Sequence, residues 1–309
     1  MQRDFGKDIA MTRTHALFRS ILYVPGANAR ALEKSDGLAA DGIVYDLKDA
    51  VAPEAKGAAR EKLREHLAVS RFAGQRIVRV NPIETGDGTE DLLMARGAGV
   101  DAVLLPKVED TDTLKDAARA LDEMDAPARL RLWAMIETPR GIARAEKLAR
   151  KGVSGRLSSL VVGTNDIRLA TGIRPDAART ELLPWLMQIV LAAKANGLFV
   201  LDGVYGDFRD VDGFERECAA GRRMGFDGKT LIHPAQIAPA NAAFGPGEAE
   251  IRDAEAIVSA FARPENAAAG VIQIDGRMVE RLHLTEARRV LAMREAIAAR
   301  SSEPSSRDP

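Results

Sequence analysis

One cysteine, Cys218, occurs in 309 residues. A disulfide within the chain is excluded, and no cysteine cluster exists to hold zinc. An excess of one charge sign is also missing: 44 lysines and arginines meet 45 aspartates and glutamates, for a formal net charge of −1. That balance gives no support to nucleic-acid binding or to a polybasic membrane patch. No run of about 18 apolar residues is present, so no membrane span is expected. The opening stretch "MQRDFGKDIAMTRTHALFRS" scatters charges where a secretory signal needs an apolar core. The expectation is a cytoplasmic globular protein, 46% hydrophobic and 29% charged, with a sizeable core.

What is present is a recurrence of short β-rich runs: "SILYV", "GIVYDL", "RIVRVN", "AVLLPK", "RLWAMIE", "LSSLVVG", "LFVLDGV" and "KTLIH". Most are apolar with little alternation, as strands covered on both faces are. Helical patterns such as "AAREKLREHLAV" and "DTLKDAARALDEM" lie between them. Eight strand–helix units over about 220 residues predict an α/β TIM (β/α)8 barrel. The rival, a doubly wound sheet, usually carries a G-x-G-x-x-G turn after its first strand, and "YVPGANARAL" has none. After His233 the pattern changes to a helix, a short hairpin and a long helix. The reading is an N-terminal arm over 1–18, a barrel over 19–245, a C-terminal helical extension over 246–300 and a disordered tail over 301–309. The extension is expected to pack on the outside or on a neighbouring subunit, with Leu282, Leu284, Val290 and Leu291 as its apolar stripe.

In a TIM barrel the chemistry sits at the C-terminal ends of strands. Those positions are Pro25-Gly26, Asp46, Asn81, Pro106-Lys107, Glu137, Asp166, Asp202 and His233. Arg79, two residues before Asn81, is expected on the same face and opposite Val78 and Val80. A guanidinium buried there must meet an anion. In "WAMIETPRGI", Thr138 and Pro139 read as a helix start directly after Glu137. Glu137 and Asp166 then follow adjacent strands five and six. Two carboxylates facing one mouth need a proton or a cation between them, and hard oxygen ligands suit Mg2+. Either acid alone reads equally well as a cap or an ion pair.

The motifs "RSILYVPGANARAL", "YDLKDAVAPEAK", "RVN", "IETPRGI", "VVGTND" and "GFDGKTLIHPAQI", in this order, resemble the citrate lyase β-subunit/malyl-CoA lyase family over roughly residues 19–295. The resemblance implies a Mg2+-dependent lyase that cleaves a 3-hydroxyacyl-CoA of the citryl-, malyl- or citramalyl-CoA type to acetyl-CoA and an α-keto acid. It matches Glu137 and Asp166 to the metal ligands, and Arg79 to the arginine that holds the keto-acid carboxylate. Asp46 and Asp49 join the catalytic set. Asn165 and Arg30 join Glu137 and Arg79 in substrate binding, Arg30 with the "VPGANAR" turn facing a CoA phosphate. The proton-transfer carboxylate falls at Glu280, supplied to a neighbouring subunit of a homotrimer or hexamer.

Two positions depart from the family pattern. "DLKD" places Lys48 where the family has glutamate, which changes the charge near the metal. "DGRMVE" places Glu280 where the family has aspartate, one methylene longer. Alternatives are a malyl-CoA-type thioesterase, an HpcH/HpaI-type aldolase and a citrate lyase β subunit working only within a complex. The aldolase ranks lower because its histidine after strand two is absent from "DLKDAV". His233 reads as structural, and His15, His66 and His283 as solvated or packed. Cys218 reads as a buried spectator.

Overall fold

The structure, a computed structural model, describes residues 17–266 and 268–302. The expected N-terminal arm as far as residue 16, His15 with it, and the expected tail from residue 303 lie outside the described residues. Two compact units divide the described chain, one over 18–244 and one from 245 onward.

The first unit is a closed parallel barrel whose eight strands follow one another in sequence order. The strands are β1 (Ser20–Pro25), β2 (Gly42–Asp46), β3 (Gln75–Arg79), β4 (Ala102–Leu105), β5 (Arg131–Ile136), β6 (Leu157–Val162), β7 (Phe199–Asp202) and β8 (Gly228–Leu231). Closure is made by β8 pairing with β1, Ser20 beside Lys229 and Ile21 beside Thr230. The helices between them are α1 (Ala29–Ser35), α2 (Lys56–Val69), α3 (Gly86–Gly97), α4 (Thr111–Glu123), α5 (Pro139–Ala143), α6 (Ala145–Gly152), α7 (Thr164–Thr171), α8 (Leu183–Ala195), α9 (Val211–Met224) and α10 (Ile237–Phe244). This is a TIM barrel, as the strand count predicts.

Alternation along each strand sorts residues between two layers. On β5, Leu132, Ala134 and Ile136 join the large core under the helices, together with Val78 and Val80 from the β3 region. Trp133 and Met135 take the opposite face, inside the barrel. There Phe18 packs on Trp133 and Phe199, with ring centroids 5.6 and 4.2 Å away.

Asp202 departs from the expectation of a mouth-facing strand-end acid. It has the parity of Val200, a helix-side core residue, so its carboxylate enters the helix layer. There it meets Lys229 at 3.0 Å and Arg179 at 2.7 Å, while Lys229 also reaches Glu217 at 2.6 Å and Arg179 reaches Glu217 at 3.3 Å. Lys229 is 0% exposed. Burial pushes the Asp202 carboxyl up, but Lys229 and Arg179 more than offset it and hold it low. Cys218 is buried nearby on α9, its thiol pushed up to about 12 by burial, consistent with an inert side chain.

The second unit contains α11 (Glu248–Phe261), the hairpin of β9 (Val271–Ile274) and β10 (Arg277–Glu280), and α12 (Arg281–Ser302). It has its own core of Ala254, Ile257, Phe261, Ile272, Val279, Leu284 and Ala287, with Val290 and Leu291 packed against it. Most of the apolar stripe on the last helix is therefore covered within the unit, and only Leu282 stays exposed, at 62%. No helix among the described residues is long and apolar enough to cross a membrane.

The ion cluster behind β7 and β8 generates a stability prediction. Lys229→Ala leaves two buried carboxylates sharing one arginine, and removing one partner of a buried pair costs roughly 3–5 kcal/mol. Urea unfolding at pH 7 should read a loss of that order. A loss below about 1 kcal/mol would show that water reaches the cluster.

Candidate active site

The C-terminal mouth of the barrel begins with Arg79 on β3. Its register partner on β2 is Asp46, so the two side chains rise from adjacent positions. Arg79 Nε and Nη2 donate to the two Asp46 oxygens at 2.8 and 2.6 Å, a bidentate pair. The anion that a buried guanidinium requires is thus supplied by the chain itself. Asp46 also accepts the N–H groups of Lys48 and Ala50 at 2.9 and 3.1 Å, so both its oxygens are occupied in positioning the arginine and the following turn.

Asp49 stands further out, 52% exposed, 3.0 Å from both Arg79 Nη1 and Lys48 Nζ. Burial raises its carboxyl, and Arg79 and Lys48 outweigh that and hold it below the usual range. Tyr23 completes the wall: Arg79 lies 5.0 Å above its ring, and its hydroxyl reaches Met135 Sδ at 3.8 Å. Burial pushes the phenol up, so it stays protonated.

Glu137 directly follows β5 with the parity of Trp133 and Met135, which carries it inward. It is 1% exposed. Thr138 accepts from Gly141 N–H at 3.1 Å and caps α5, with Pro139 in its first turn, as the motif predicts. The cap fixes where the chain turns and leaves the glutamate behind in the mouth. Glu137 Oε1 accepts the Lys107 main-chain N–H at 2.8 Å, while Oε2 is buried with no hydrogen-bond partner. A β-carbon on Gly163 would lie 2.4 Å from Glu137 Cβ and 2.6 Å from Oε2, so only glycine fits there.

Asp166 reaches the same place from a different element. It belongs to the first turn of α7, four residues past the end of β6, and not to the strand end as expected. The reason is that the chain turns into helix at Thr164. Lys107 Nζ lies 3.2 Å from Asp166 Oδ1. Burial, then the charge of Asp166, raise the Glu137 carboxyl above its ordinary range, opposed by Lys48, the Lys107 N–H and Arg79.

Glu137 Oε2 is the test of whether a divalent cation fits. A buried unpartnered carboxylate oxygen beside a second carboxylate is a site short of positive charge. Among the described residues no group of three or more His, Cys, Asp and Glu is placed to hold a metal. Two hard carboxylates suit Mg2+, which commonly keeps its other positions for water and substrate oxygens; the pair brings none of the His or Cys ligands that zinc sites usually include.

The remaining sequence candidates divide. Asn81 does not share the mouth with Arg79, because the strand ends at Arg79 and its alternation stops. Its side chain donates to Leu47 O and Asp91 at 3.0 and 2.8 Å and accepts from Lys56, tying the strand end to α2 and α3. Asn165 and Arg30 are exposed in the first turns of α7 and α1. His233 caps a short turn through Ala235 N–H and stacks on Phe208, a structural use. Glu280 closes β10 in the second unit, where its N–H donates to His283 at 2.9 Å. Sequence reasoning named Lys107 as a strand-end residue without giving it a role, and passed over Gly163 and Tyr23. The glycine at the end of "VVG" was the available signal for a close approach.

The family model described as HpcH/HpaI aldolase/citrate lyase matches residues 19–234. The chain is 46% identical over 285 residues to a (3S)-malyl-CoA thioesterase of Cereibacter sphaeroides, covering 91% of this chain and 96% of that protein. It is 34% identical over 292 residues to the citrate lyase subunit beta of Escherichia coli, covering 92% and 94%. Among solved structures, the protein CitE from Mycobacterium tuberculosis, in complex with magnesium, acetoacetate and coenzyme A, aligns with a TM-score of 0.70 at 27% identity. That alignment covers 92% of this chain and 99% of CitE.

The raised Glu137 carboxyl yields a pH prediction. Its folded value lies above the 4.5 of a free glutamate, so its favourable contribution is complete below pH 4.5 and is lost as pH rises through the folded value. Glu137→Gln removes that loss. In EDTA the variant should melt above wild type at pH 8, by roughly 2 °C per kcal/mol, and show no such gain at pH 4. Its melting point should no longer rise with Mg2+. An equal shift at both pH values would refute the assignment.

Proposed function

The chain belongs to the HpcH/HpaI aldolase/citrate lyase family, and from that premise we propose that it hydrolyses a malyl-CoA-type 3-hydroxyacyl thioester with Mg2+ held by Glu137 and Asp166. The observation that carries the metal-dependent reading is the buried, unpartnered Glu137 oxygen beside Asp166. The thioesterase reading draws on the 46% identity to a (3S)-malyl-CoA thioesterase and on the cation at Lys48. When bound, the ion supplies Lewis acidity and a template for substrate oxygens.

The chain's own residues divide the rest. Arg79 binds the acyl carboxylate, which takes the place of half-exposed Asp49, while buried Asp46 keeps the guanidinium aimed. Lys48 is 13% exposed in its side chain and pairs with half-exposed Asp49 at 3.0 Å. Its ammonium is positioned to donate to the thioester oxygen as negative charge develops there. Arg30 and the exposed end of α1 face the CoA phosphates. Glu280 of a neighbouring copy, in a homotrimer or hexamer, takes a proton from the attacking water. The C–O bond forms, the C–S bond breaks, and the proton passes to the departing thiolate.

A second reading uses the same parts and is supported by the 34% identity to citrate lyase subunit beta. In it the substrate hydroxyl gives up its proton to Glu280, the carbon–carbon bond breaks to give an α-keto acid and the acetyl-CoA enolate, and Glu280 returns the proton to the enolate carbon. Glutamate in place of aspartate displaces that carboxyl by ~1 Å, enough to slow a step that needs exact placement.

Product analysis separates the two. Purified protein, malyl-CoA and Mg2+ should release free CoA and malate; acetyl-CoA and glyoxylate as main products would replace hydrolysis with lyase chemistry. The shared site has its own test. Mixing Glu280→Ala subunits with Arg79→Ala subunits should restore part of the activity that each lacks alone. No recovery in verified mixed oligomers would refute donation of Glu280 between copies.

A further inference from the structure

Lys107, just after β4, touches both carboxylates of the pair with different parts of itself. Its main-chain N–H donates to Glu137 Oε1 at 2.8 Å, and its ammonium lies 3.2 Å from Asp166 Oδ1. It does so from φ 48°, a left-handed conformation that residues with a β-carbon seldom adopt. Such a conformation persists where its surroundings hold it. Here Val108 N–H donates to Met135 O at 3.2 Å and pins the chain at the next residue. The twist turns the amide toward Glu137 while the side chain crosses to Asp166.

The two ties differ in permanence. The amide bond ends on a carboxylate that is 1% exposed, and it belongs to the backbone. The ammonium contact joins side chains that are 54% and 30% exposed, and exposed pairs of this kind exchange readily. A divalent cation at Asp166 repels an ammonium standing at the same oxygen and outcompetes it for the carboxylate. Lys48, which follows β2, is engaged with Asp49 at 3.0 Å.

We propose that Lys107 is a placeholder: its ammonium neutralises Asp166 while the metal is absent and gives way when a divalent cation enters. Its main-chain N–H holds Glu137 in place throughout. The residue is a positioning residue for the metal site, and its released ammonium is then free at the mouth for the anionic part of a substrate. The proposal rests on the metal reading above.

The direct test is amine labelling of the full-length protein with acetic anhydride, read at Lys107 by peptide mass spectrometry. Labelling should be slow in EDTA and about threefold or more faster in saturating Mg2+, with exposed Lys151 as an unchanged reference. Lys107→Gln should bind Mg2+ about two- to fivefold more tightly by calorimetry, because the competing cation is gone. The same variant should melt below wild type in EDTA and level with it in saturating Mg2+, and Lys107→Arg should restore wild-type values. Labelling that is unchanged or slowed by Mg2+, or weaker Mg2+ binding by Lys107→Gln, overturns the placeholder. If calorimetry shows no Mg2+ binding to wild type, the metal reading fails and takes this proposal with it. Binding without a change at Lys107 sinks the placeholder alone.

Discussion

The mouth of the barrel is organised by one electrostatic constraint: two carboxylates, buried Glu137 and partly exposed Asp166, feel each other's charge. Such a pair demands a proton or a cation. Every neighbouring feature answers to that demand. Lys107 meets both acids, Lys48 opposes the charge of Glu137, and Arg79 is itself balanced by Asp46 and Asp49. Among the described residues no group donates to Glu137 Oε2. That unpaired acceptor is what distinguishes this cluster from a self-compensating ion network.

The contrast with the cluster behind β7 and β8 makes the point within one molecule. Asp202, Glu217, Lys229 and Arg179 use the same chemistry, two acids and two bases, and are at least as deeply buried. Their carboxylates are all paired inside the helix layer and hold elements together, and the group left without a hydrogen-bond partner there is a donor, Arg179 Nη2. Strand parity sends Glu137 into the mouth and Asp202 into the wall. Asp202 shares the parity of Val200, and Glu137 that of Met135.

The C-terminal unit obeys a different economy. Its long helix is covered mainly by α11 and the β9–β10 hairpin, through Leu284, Val290, Leu291 and Phe261. The unit therefore carries a small core of its own and does not depend on a neighbour's barrel to bury its stripe. Glu280 closes the second strand of that hairpin.

Much of this was legible in the sequence. Eight apolar runs with helical patterns between them were enough for the barrel, because strands buried on both faces leave a signature that does not depend on context. The position of Glu137 was legible too, as an acid closing a buried run just before Thr-Pro, although alone it read equally well as a cap or an ion pair, and ordered motifs along the chain led to the family. Tertiary structure decided the rest. Asn81 left the mouth because β3 ends two residues earlier, and Asp202 turned to the helices because parity is counted from a register that sequence does not display. Asp166 proved to ride on a helix, and Lys107 acquired its position from a left-handed backbone that no local pattern announces. Composition and periodicity determine which residues are buried. Which of the buried charges find partners depends on contacts between residues tens of positions apart, and only the closed barrel brings those together.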